Sequence, residues 1–79
     1  MANLHIVVAE TMGTDGEFYT EVYPCKSDMD AFDTMCGLIE EMANTMDVDI
    51  SDKHLDSIRE LSGEGWWYRV KDVVVENFL

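Results

Sequence analysis

Residues 27–46 read Ser-Asp-Met-Asp-Ala-Phe-Asp-Thr-Met-Cys-Gly-Leu-Ile-Glu-Glu-Met-Ala-Asn-Thr-Met. Met29, Phe32, Met35, Cys36, Ile39, Met42, Ala43 and Met46 recur at intervals of three and four, the spacing that gathers apolar side chains on one side of an α-helix. Ser27 is a natural N-cap. Asp28 and Asp30 fall in the first turn, where the helix dipole favours anions. The opposite side carries Asp30, Asp33, Gly37, Glu40, Glu41 and Asn44. Gly37 costs such a helix up to about 1 kcal/mol relative to Ala. A long amphipathic helix of this kind needs a second apolar layer, and the flanking segments supply it.

Upstream, Leu4–Ala9 reads as a strand, with Leu4, Ile6 and Val8 on one face. Thr11–Gly16 is a loop in which Asp15-Gly16 signals a tight turn. Glu17–Tyr23 then alternates, with Phe18, Thr20 and Val22 on one face and Glu17, Tyr19, Glu21 and Tyr23 on the other. The two runs predict a β-hairpin ended by Pro24, which cannot donate to a continuing ladder. Downstream, Asp47–Ser51 is a link. Ser51 is placed to cap a second, shorter helix with Leu55, Ile58 and Leu61 on one face and Gly63 as its stop. Trp66–Val70 reads as a strand, and Val73–Val75 either continues it or forms a fourth strand after a bend at Lys71-Asp72. The order β-β-α-α-β predicts an α+β domain: a small antiparallel sheet of three or four strands, with one long and one short helix packed on one face.

Composition bounds the function. The 79 residues allow one small domain. A hydrophobic fraction of 47% is enough for one core and too high for a disordered acidic tail. No apolar run is long enough to span a membrane, and no basic-then-apolar leader opens the chain. Cys25 and Cys36 sit eleven apart, outside any C-x-x-C pattern, and read as ordinary thiols in a reducing, cytoplasmic setting. His5 and His54 lack metal-ligand spacing and read as structural or surface residues. Asp47-Val48-Asp49-Ile50-Ser51 opens like a calcium loop, but Asp52 stands where that loop needs Gly and Ile58 where it needs Glu, so it reads as a solvated connector. No catalytic, cofactor or metal constellation emerges. An enzyme is not expected, because so short a chain rarely supplies both a core and a preorganised pocket.

The charge is the sharpest feature. Seventeen Asp and Glu oppose five Lys and Arg, a formal net charge of −12. Residues 1–52 hold twelve of the acids and one base, Lys26; residues 53–79 hold the other five acids and four bases. Such a balance repels nucleic acid and argues against direct binding to it. Asp30, Asp33, Glu40 and Glu41 form a helix stripe, joined by Glu17 and Glu21 on the hairpin. Glu40 and Glu41 stand towards the helix C-terminus, where a sequence shaped for stability alone would place Lys. In Trp66-Trp67-Tyr68, the first and third residues share one face and Trp67 takes the other. A large aromatic is thus expected on the outer face beside Tyr19 or Tyr23, and Tyr19 and Trp67 become candidate interface anchors.

One compact domain, a strong negative balance, no catalytic motif and an α+β layout together resemble the small acidic inhibitors encoded by bacteriophages. These include anti-CRISPR proteins, DNA-mimicking anti-restriction proteins and uracil-DNA glycosylase inhibitors. The resemblance is one of type across the whole chain, so no family residue roles carry over. It implies a protein of the host bacterial cytoplasm that blocks a nucleic-acid-handling machine by occupying its Lys/Arg-rich surface, possible DNA mimicry in which Asp30, Asp33, Glu40, Glu41, Glu17 and Glu21 meet the partner's cations. The alternative is a small interaction or assembly module, a homodimer, whose acids confer only solubility.

Overall fold

The structure, a computed structural model, describes the backbone of residues 2–78 and the side chains of residues 4–75. The elements run β1 (Ala2–Met12), β2 (Phe18–Cys25), α1 (Asp28–Thr45), β3 (Glu60–Gly63) and β4 (Trp66–Phe78), with one 3-10 turn at Leu55–Ser57. The fold is α+β. All pairings are antiparallel, and the strand order is β2-β1-β4-β3, so β2 and β3 form the two edges. The order is therefore β-β-α-β-β with a single helix, which corrects the expected second helix. Leu55, Ile58 and Leu61 are too few to sustain helical turns against the sheet. Leu61 instead pairs with Tyr68 and is buried. Gly63 is not a helix stop but the last residue before a hairpin turn. Gly65 takes the turn's left-handed position at φ +79°, and Gly63 pairs with Trp66. Val73–Val75 continue β4 rather than starting another strand.

The hairpin turn and the helix start form where the residues place them. Thr11 and Met12, however, extend β1 instead of opening the loop, and β2 runs through Pro24 to Cys25. An edge strand tolerates this proline because one side of its ladder is unpaired. Gly16 adopts φ +82°, and its N–H donates to Gly13 O while Glu17 N–H donates to Asp15 Oδ1. At the helix entry Ser27 Oγ accepts the Asp30 N–H at 3.1 Å, and Asp30 Oδ2 accepts the Lys26 N–H at 2.9 Å. The two bonds fix Ser27 as the N-cap and tie the preceding residue to the first turn. The helix leaves through Asp47 at φ 55°. Val48 N–H reaches back to Ala43 O at 2.8 Å and Asp47 N–H to Asn44 O at 3.4 Å, the two bonds of a Schellman motif.

The core lies between α1 and one face of the sheet. Ala31, Met35, Ile39 and Ala43 meet His5, Val7 and Ala9 of β1, Cys25 of β2, Leu61 of β3, and Tyr68 and Val70 of β4. Small residues at Ala9, Ala31 and Ala43 let helix and sheet approach closely, giving a slab with principal extents of 44 × 29 × 14 Å. Leu4, Ile6 and Val8 do share a face, but it is the face the helix leaves open. Both faces of β1 are apolar, so alternation alone does not say which one is covered. The register puts Phe18, Val22 and Pro24 of β2 and Trp67, Val73 and Val75 of β4 on that open side as well. Val22 is 61% exposed and Phe18 50%.

Candidate functional site: an acidic ridge and cleft beside β2

The helix turns the apolar spacing inward from its second turn on, leaving Met29 of the first turn 67% exposed, and presents its acids outward. Asp33, Glu40 and Glu41 are exposed. At 3.6 residues per turn Asp33 and Glu40 lie about 20° apart on the helical wheel, with Glu41 about 100° further round. Asp33 and Glu40 thus form a ridge, while Glu41 leans over the flank that faces β2. On β2 the helix-facing residues are Tyr19, Glu21, Tyr23 and Cys25, opposite Thr11, Ala9, Val7 and His5. Period-two alternation carries Glu21 up against Glu41.

Glu21 and Glu41 line one cleft of about 110 Å³, together with Tyr23, Tyr68, Leu38 and Met42. Glu21 of β2 and Glu17, just before it, are held in place by neighbouring phenols. The Tyr19 hydroxyl donates to Glu17 Oε2 at 2.6 Å, and the Tyr23 hydroxyl donates to Glu21 Oε2 at 3.1 Å. These carboxylates act back on the phenols. The hydrogen bond to Glu17 raises the Tyr19 pKa. Burial first, then the bond to Glu21 and the charge of Glu41, raises that of Tyr23. Tyr68 is pushed up to about 12, mainly by burial, with Tyr23, Glu21 and Glu41 adding to it. The cleft is therefore a negative site floored by neutral aromatic rings.

Among the described residues, Lys71 pairs with Glu10 at 3.9 Å, and the His5 imidazole lies near the Asp28 and Asp72 carboxylates. None of these contacts involves Glu17, Glu21, Asp30, Asp33, Glu40 or Glu41. The arginines are occupied elsewhere. Arg59 lies over Phe32, and Arg69 stacks 4.3 Å from the Trp67 ring on the open face. Chemically, two carboxylates over phenol faces suit a guanidinium or ammonium group: the acids accept charge-assisted hydrogen bonds, and the rings attract the cation.

The anticipated residues do not all converge. Glu17, Tyr19, Glu21 and Glu41 lie on the helix side of the sheet, with Asp33 and Glu40 on the ridge above. Asp30 is half-buried and committed to the helix cap, so it is not free to meet a partner. Trp67 lies on the opposite face. Its neighbour is Phe18, edge-on at 5.6 Å, and not Tyr19 or Tyr23, because Met12 pairs with Phe18 on one side and Trp67 on the other. Tyr68 and Tyr23 are the cleft residues that sequence reading did not select. Tyr68 lies 27 positions from Glu41, and only the sheet register brings the two to one cleft.

The other candidates resolve simply. Cys25 is buried, Cys36 is half-buried and both thiols are free. Asp49 Oδ1 accepts from both the N–H and the hydroxyl of Ser51, which makes a local turn of the connector. No helix among the described residues is long and apolar enough to cross a membrane. Comparison with protein-family models, curated protein sequences and solved structures gives no match for the chain.

Proposed function

We propose that this chain is a non-enzymatic acidic binding protein that occupies a Lys/Arg-rich, nucleic-acid-binding surface of a partner protein and so inhibits it. The observation that carries the reading is the convergence of Glu21 and Glu41, from two different elements, on one aromatic-floored cleft, with no base among the described residues paired to either. Asp33 and Glu40 extend the negative surface along the helix, and Glu17 extends it along the β2 edge. The partner's Arg and Lys side chains enter the cleft and line the ridge. Association is steered by charge and weakens with salt.

The test is capture from bacterial lysate by the wild-type chain and by Glu17→Lys/Glu21→Lys/Glu40→Lys/Glu41→Lys, both confirmed folded by circular dichroism. Wild type is expected to retain a DNA- or RNA-handling protein that elutes at moderate salt, and the variant to retain none of it. Equal retention by both would refute the acidic surface as the binding site.

A second reading, a homodimer joined through the open sheet face, is favoured by one observation of its own. That face gathers Leu4, Ile6, Val8, Val22, Val73 and Trp67, and its charges are of both signs, Glu10 and Glu60 beside Arg69 and Lys71. Light scattering at two concentrations, with Val22→Asp as the disrupting variant, decides it. A mass that stays monomeric throughout removes the dimer, which is compatible with the inhibitor reading in either case.

A further inference from the structure

His5 is 7% exposed, yet its Nδ1 has no hydrogen-bond partner. Two carboxylates face that nitrogen. Asp28 Oδ1 lies 3.3 Å away and Asp72 Oδ2 3.6 Å away. The other Asp72 oxygen, Oδ1, is also buried without a partner. Leaving such atoms unpaired is costly in a folded protein, so the arrangement calls for a ligand.

The fold explains why these three residues meet. Val7 pairs with Asp72 across β1 and β4, which puts Asp72 on the helix side, diagonal to His5. Cys25 pairs with His5 on the other flank, and only Lys26 and Ser27 separate it from Asp28 at the head of α1. The site therefore ties β1, β4 and the start of the helix together. It lies away from the acidic cleft and is independent of the binding reading above.

We propose that His5, Asp28 and Asp72 bind one divalent transition-metal cation, of which zinc fits best. One ligand atom from each of the three lies within 4.8 Å of the others. Bonds of about 2.0–2.1 Å in tetrahedral geometry separate ligands by about 3.3–3.4 Å, close to the two distances from His5. The exposed Asp28 carboxylate has room to rotate and close the third edge. Two carboxylates balance the cation's charge, and one imidazole nitrogen selects zinc over magnesium or calcium, which take six or more oxygens. The fourth position is left to solvent. Cys25 is not a ligand, because its Sγ is turned to Tyr23 O at 3.3 Å.

The test is calorimetric titration of the chelator-treated full chain with zinc chloride, followed by thermal melting. One equivalent is expected, with a melting temperature raised by about 10–20 °C at a hundredfold excess over Kd. Cobalt(II) is expected to give the visible d–d bands of a four-coordinate ion. Asp28→Asn changes an exposed side chain and leaves the core intact. It should weaken binding by at least about tenfold, whereas Asp33→Asn on the helix ridge should not change it. Absence of zinc binding would overturn the site. Equal loss in Asp28→Asn and Asp33→Asn would overturn it too, by placing the ion on the general acidic surface.

Discussion

Replacing Asp47 with Gly should stabilise this domain, and the geometry says by how much. Asp47 occupies the left-handed position that ends α1, at φ 55°. A side chain there costs about 1–2 kcal/mol, with Asp at the lower end because its short polar group tolerates the conformation. Its carboxylate also faces the negative end of the helix dipole, worth about 0.3–1 kcal/mol. Glycine removes both costs but loses more chain entropy on folding, about 0.5–1 kcal/mol. The net gain is about 0.5–1.5 kcal/mol, or a melting temperature higher by roughly 3–10 °C for a domain this small. Urea unfolding followed by circular dichroism measures it, with Asp47→Asn as the control that removes charge and keeps left-handed tolerance. The control should recover only the dipole share, about 0.3–1 kcal/mol. A Gly variant no more stable than wild type would refute the reasoning.

Gly63→Ala should destabilise the β3–β4 hairpin by about 1–3 kcal/mol, because a Cβ there would run into the Trp66 indole; urea midpoints of the two proteins check it. Gly37→Ala should do the opposite, gaining up to about 1 kcal/mol, since a methyl at this exposed helix position meets nothing within 4 Å. Tyr68, raised to about 12 from the ordinary 10.0, stays protonated longer in the folded than in the unfolded chain. Its contribution to stability is therefore complete below pH 10 and lost as pH rises towards 12. Ultraviolet difference titration of Tyr68→Phe against wild type should show the highest-pH phenol step missing from the variant, and a step lost nearer pH 10 would contradict it.

The helix was legible in sequence because every level agreed there: apolar spacing, Ser27 as cap, and acids in the first turn. The first hairpin was legible for the same reason, with Asp15-Gly16 between two alternating runs. The region after Asp47 was not, because Leu55, Ile58 and Leu61 fit a short helix by spacing, and only pairing with β4 makes Leu61 a strand residue. The choice of covered face was hidden by β1 itself, where Ile6 and Val8 are as apolar as Val7 and Ala9. Among the candidate interface residues, composition located the acids but not their company. Spacing sets Asp30 on the ridge, although the capping bond claims it. Alternation leaves Trp67 free to join Tyr19, although the register puts them on opposite faces. The cleft at Tyr68 and the cluster at His5 join residues far apart in the chain, and no local spacing announces either.

The most direct test of the central proposal is competition on the captured partner. With that protein fixed at low salt, a nucleic acid duplex or single strand that it binds should raise the apparent Kd of this chain in proportion to its own concentration, as expected for two ligands of one basic surface. A ternary complex in which the chain's affinity is unchanged by saturating nucleic acid would contradict occupation of that surface.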